Sequence, residues 1–91
     1  MKDQHTMIKG YRDLNQEDID LMNDIKEVGE DVGKLVGRVQ NIIQDEIDAE
    51  DLLSQNTEAS QEAARWAAMA RSDLQVGFMK LVRAVAKPSS F

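Results

Sequence analysis

Ninety-one residues allow one small domain, and a composition of 42% hydrophobic and 31% charged residues, with one proline and 4% aromatics, is that of a helical protein. No cysteine is present, which excludes disulfides, thiolate metal sites and cysteine nucleophiles, and no apolar stretch has transmembrane length or signal-peptide character, so a soluble cytosolic chain without membrane contact is expected. The net charge of −6 is uneven, with seven acids and no base from Asp45 to Glu62 but five bases and one acid from Ala63 to Phe91, and the acidic middle argues against long nucleic acids as partners.

Residues 1–14 read as a polar N-terminal arm. The only histidine, His5, has no cysteine or second histidine to join it as a metal ligand and reads as a surface residue. The arm ends in Gly10-Tyr11-Arg12-Asp13-Leu14. Tyr11 has two readings: a ring that seals the end of a helical bundle, or one that stacks on a purine, worth about 1–3 kcal/mol per base.

Asn15 is a suitable N-cap, with Glu17 and Asp18 in the first turn to suit the helix dipole. The helix is predicted over 16–51, roughly 50 Å at 1.5 Å per residue. Leu21, Ile25, Val28, Val32, Leu35, Val39 and Ile42 follow a 4-3 spacing, a heptad seam. Val36, Ile43 and Ile47 add a second apolar edge, which implies more than one packing neighbour.

Gly29, Gly33 and Gly37 recur every four residues. Each costs about 0.8–1 kcal/mol against alanine inside a helix, so the row gives up roughly 2–3 kcal/mol that something must offset. Close helix packing is one explanation, and a ligand approaching the bare backbone is the other. Lys26 shares this face, and can serve either as a phosphate contact or as a surface lysine paired with Glu30 one turn on.

Glu27 and Glu30, followed by Asp45 and Asp48, are carboxylates at i, i+3 that can hold Mg²⁺. All-α nucleotide pyrophosphatases carry a similar E-x-x-E on one helix and E-x-x-D on the next. Here both pairs fall on one predicted helix, about five turns apart, and a solvated acidic face explains them equally.

Leu53 to Thr57 is a polar break in which Ser54, Asn56 or Thr57 can cap a second helix, predicted over 57–86. Its broad apolar face holds Ala63, Trp66, Ala67, Ala70, Leu74, Phe78, Leu81 and Val85. Pro88 disfavours helix at Lys87, which leaves 87–91 as a tail whose terminal Phe91 is either a docked anchor or a frayed end. Arg65, Arg71 and Ser72 beside Trp66 suit phosphate binding, or form an exposed helix face.

Two long helices with a short link form an antiparallel hairpin. A lone hairpin of this size is marginal and cannot bury both apolar edges, so an all-α, homo-oligomeric bundle of four or more helices is expected.

The arm Gly10-Tyr11-Arg12-Asp13-Leu14 and the run Ile19-x-Leu21-Met22-Asn23-x-Ile25-Lys26 resemble the phage anti-CBASS cyclic-nucleotide sponge family. So does the second half, from Arg65-Trp66-Ala67 through Ala70-Arg71-Ser72-Asp73-Leu74 and Gly77-Phe78-Met79 to Lys87-Pro88-Ser89-Ser90-Phe91. The resemblance spans nearly the whole chain apart from the acidic middle, Gln44 to Ser60. It implies a hexamer of helical hairpins in the cytoplasm of the infected bacterial host. Such a protein sequesters cyclic dinucleotides such as 3′,3′-cGAMP, and cyclic trinucleotides, without cutting them and without a cofactor.

By the same resemblance Tyr11 matches the base-stacking tyrosine and Lys26 the phosphate-contacting lysine, contributed by adjacent subunits. Gly10, Gly29 and Gly33 are added to that site from the residue pattern itself, as bare backbone that a ligand can approach. The region of Arg65, Arg71 and Ser72 is assigned to a separate trinucleotide pocket near a three-fold axis. The divergent acidic segment leaves ligand preference open, including towards cyclic ADP-ribose isomers bound by anti-Thoeris sponges. Two competing readings remain: a Mg²⁺-dependent pyrophosphatase using Glu27, Glu30, Asp45 and Asp48, and a structural hairpin with no small ligand. Secreted hairpins carry Trp-x-Gly in the turn, whereas Trp66 here precedes Ala67-Ala68 inside a predicted helix.

Overall fold

Asn15 sets the start of the first helix by a reciprocal exchange. Its side-chain oxygen accepts from the Asp18 backbone N–H at 2.9 Å, and the Asp18 carboxylate accepts from the Asn15 N–H at 3.3 Å. This is a capping box with aspartate in the place usually taken by glutamate or glutamine. A computed structural model describes residues 14–53 and 58–87. It contains two helices, α1 (Gln16–Leu52) and α2 (Glu58–Ala86). The arm with His5, Gly10 and Tyr11, the proposed caps Ser54, Asn56 and Thr57, and the tail from Pro88 to Phe91 lie outside the described residues.

Three cross-helix contacts show that the helices run antiparallel. Ser60 Oγ donates to Glu50 Oε2 at 2.7 Å near the turn, and Arg71 Nη1 donates to Gln40 Oε1 at 3.2 Å midway. Towards the open end, Gly29 lies against the ring of Phe78. The second helix stops where Lys87 turns into the left-handed region, at φ 48°, and gives its N–H to the Arg83 carbonyl at 2.8 Å. That single bond is the αL way of ending a helix, here without the usual glycine.

The hairpin is a slab of 65 × 23 × 14 Å, and its interior is correspondingly thin. Among the described residues only Ser60, Ala67 and Ala86 are buried. The seam between the helices is formed on α1 by Met22, Ile25, Gly29, Val32, Val36, Gln40, Ile43 and Ile47, all partly covered. This divides the heptad row expected from the sequence. Ile25 and Val32 turn towards α2, while Leu21, Val28, Leu35, Val39 and Ile42 remain between 45% and 59% exposed.

The broad face of α2 divides in the same way. Ala67, Phe78 and Val85 turn inward, while Trp66, Leu74 and Leu81 stay exposed. Each helical residue rotates by about 100°, so a stripe wider than one partner can cover is shared between two directions.

Candidate functional site

The two flanks of the seam differ in chemistry. Leu21, Val28, Leu35 and Ile42 each precede a seam residue on α1, as Trp66 and Leu81 do on α2. Lys26 and Gly33 each follow one on α1, as Met79 and Arg83 do on α2. In an antiparallel pair these matching offsets fall on the same side, so one side of the hairpin is an apolar strip. The other side holds an open groove of about 1020 Å³.

Lys26 and Gly29 line this groove from α1, with Met22 and Ile25. Phe78, Met79, Val82, Lys80 and Arg83 supply the α2 wall. A Cβ on Gly29 would sit 3.5 Å from the Phe78 ring, in ordinary van der Waals contact, so the hairpin itself does not demand a glycine there. Gly33 and Gly37 have no such neighbour, since a Cβ at either meets nothing within 4 Å. Helix packing inside the hairpin therefore does not account for the row.

Lys26 is exposed and, among the described residues, has no ion-pair or hydrogen-bond partner; the alternative pairing with Glu30 is not formed. The structure thus brings Lys26 and Gly29 to one groove and leaves Gly33 one turn further on, in open space. Tyr11 and Gly10 are not among the described residues.

The second candidate group is dispersed within one hairpin. Arg65 forms an ion pair with Glu62 and places its guanidinium over the Trp66 ring, 5.4 Å from the centroid. Ser72 lies seven residues on, on the same helix side and about 10 Å along the axis. Arg71 is rotated towards α1 and bonded to Gln40.

The carboxylates Glu27, Glu30, Asp45 and Asp48 all lie on α1, and the two pairs are separated by about 27 Å, five turns, along its axis. Among the described residues no group of three or more histidine, cysteine, aspartate or glutamate side chains is placed to hold a metal. No described helix is long and apolar enough to cross a membrane.

A family described as "Acb2/Tad1, hairpin domain" matches residues 3–86. The chain belongs to the Acb2/Tad1 hairpin family. One relative, Anti-CBASS protein 2 of Pseudomonas phage JBD67, is 36% identical over 105 aligned positions that cover 97% of this chain and 97% of the relative. The similarity therefore spans the whole hairpin.

The groove's second wall was not read from the sequence of this Acb2/Tad1 hairpin. The signal was available in the position of the turn. Counting equal steps back from the break at 54–57 along both helices places Lys26 level with Val85, two residues from Arg83 and within about one and a half turns of Lys80.

Proposed function

We propose that this protein is a phage immune-evasion factor that binds cyclic oligonucleotide second messengers and withholds them, uncut, from the host's CBASS effectors. The observation that carries this reading is the end-to-end similarity to a relative named Anti-CBASS protein 2. The groove supports it, because an unpaired Lys26 beside the Gly29 backbone offers a phosphate contact next to an apolar surface. In this reading Tyr11 stacks on a base, Lys26 holds a phosphate, and Gly10, Gly29 and Gly33 let the ligand approach the backbone. Arg65, Arg71 and Ser72 belong to a separate site for cyclic trinucleotides.

The hairpin is taken as a single domain, with 1–14 as its arm and 87–91 as its tail. It assembles into a homo-oligomer, as a hexamer in the family resemblance, and the exposed strip of Leu21, Val28, Leu35, Ile42, Trp66, Leu74 and Leu81 supports that assembly. Sequestration asks for no general acid, base or metal. Two stacked bases at about 1–3 kcal/mol each and charged phosphate bonds at about 1.5–3 kcal/mol each are of the size that nanomolar binding, about −12 kcal/mol, requires before ordering costs. The protein acts in the host cytoplasm, where these messengers are made.

Native mass spectrometry of the protein mixed with 3′,3′-cGAMP tests this. An oligomer carrying ligand of unchanged mass is expected. A bare oligomer beside intact nucleotide supports a structural role or a different ligand, and nucleotide fragments support an enzyme.

A further inference from the structure

We propose that Lys80 is a second phosphate-contacting residue of the groove, acting across from Lys26 on the same anionic ligand; this rests on the cyclic-nucleotide reading above. Gly29 lies against Phe78. In an antiparallel pair, three residues back along α1 to Lys26 match three residues forward along α2 to Leu81. Lys80 is one residue from that level, about 1.5 Å along the axis, and Arg83 is two residues away, about 3 Å. Both line the groove with Lys26.

The groove is a local exception to an acidic protein. The whole chain carries a net charge of −6, yet the charged groups lining the groove are Lys26, Lys80, Arg83 and Glu30. Glu30 is not paired with Lys26, and Lys80 is exposed with no ion-pair or hydrogen-bond partner among the described residues. Met22, Ile25, Phe78 and Val82, all half-buried, supply the apolar floor between the charged rims. Cations on both rims over an apolar floor match a compact molecule with phosphodiester charges and flat, weakly hydrated rings. A lysine on each wall lets two phosphates, or two oxygens of one, be met from opposite sides. A flexible ammonium suits this task because it reaches the anion without fixed geometry.

Isothermal titration of the purified full-length protein with 3′,3′-cGAMP tests the assignment, using Lys80→Ala, Lys80→Arg, Lys26→Ala and Lys34→Ala. Lys34 is an exposed α1 lysine that does not line the groove and controls for the loss of one positive charge. Lys80→Ala is expected to weaken binding about ten-fold or more, as loss of a charged hydrogen bond does. Lys80→Arg is expected to retain most of the affinity, and Lys34→Ala all of it. Helical circular dichroism and oligomer mass should stay at parental values in each variant. Parental affinity in Lys80→Ala, with binding lost in Lys26→Ala, overturns the Lys80 assignment alone. Equal weakening by Lys34→Ala and Lys80→Ala also overturns it, by showing a general charge effect. Parental affinity in both Lys26→Ala and Lys80→Ala, or no binding by the parent protein, overturns the cyclic-nucleotide reading of the groove and this assignment with it.

Discussion

Gln40 and Arg71 join the two helices by a hydrogen bond of 3.2 Å, so the guanidinium proposed for a trinucleotide site is also a tie across the hairpin. The two roles separate by mutation. Gln40→Ala removes the acceptor and should lower stability to urea by about 0.5–1.5 kcal/mol, the usual net worth of such a bond. It should leave binding of a cyclic trinucleotide within a few-fold of the parent. Arg71→Ala should show the same stability loss and a much larger loss of affinity. Equal effects of the two variants on binding would assign Arg71 to the hairpin alone.

Gly33 separates the two explanations of the glycine row. A methyl group there meets nothing within 4 Å inside the hairpin, so Gly33→Ala gains helix propensity without a clash. The expected gain is about 0.8–1 kcal/mol per hairpin, read as a raised Tm. If the row exists to let a ligand or a neighbouring subunit reach the backbone, the same variant should bind 3′,3′-cGAMP more weakly or form a smaller assembly. A raised Tm with affinity and oligomer mass unchanged would show that the open backbone at Gly33 serves neither.

The helical hairpin was legible in the sequence because each helix announces itself locally. Asn15 and Asp18 mark the start of α1, heptad spacing marks its apolar side, and Pro88 disfavours helix at Lys87, where α2 has ended. What the pattern could not decide was which apolar residues meet the partner helix. Leu21 and Ile25 have the same character and lie only about 40° apart on the wheel, yet one is exposed and the other half-covered. Periodicity reports the width of an apolar stripe and not how two neighbours divide it. At the groove, Lys26 and Gly29 stood out in the sequence as a cation before a glycine. Lys80 and Arg83 did not, because their meaning depends on hairpin register rather than on anything within their own helix.

Ser60 and Glu50 should hold the turn end closed. Their bond, at 2.7 Å, has a buried hydroxyl as donor and a half-buried glutamate side chain as acceptor. With the glutamate ionised, hydrogen bonds to such charged acceptors are worth about 1.5–3 kcal/mol, more than an exposed neutral pair. Ser60→Ala is therefore expected to destabilise by about that amount in a urea or thermal melt. Hydrogen exchange should speed up first in the last turns of α1 and the first turns of α2. Exchange that rises evenly along both helices would instead mean that the hairpin opens as one unit, whatever the local loss.

The apolar strip gives the sharpest test of assembly. Leu35 is 54% exposed and Ile42 59%, at matching heptad positions on the side of the hairpin away from the groove. Neither lies in the α1·α2 seam, so Leu35→Lys with Ile42→Lys should leave the hairpin's own contacts intact. In an oligomer both lysines would be buried against another copy, and an unpaired buried charge is strongly disfavoured. Analytical ultracentrifugation should show dissociation towards single hairpins, with lower helicity and a lower Tm because the thin intramolecular core is left alone. Affinity for 3′,3′-cGAMP should fall in parallel if the site draws Tyr11 and Lys26 from adjacent copies. Dissociation with full affinity would place the complete site within one hairpin, and an unchanged oligomer mass would show that the copies meet through a different face.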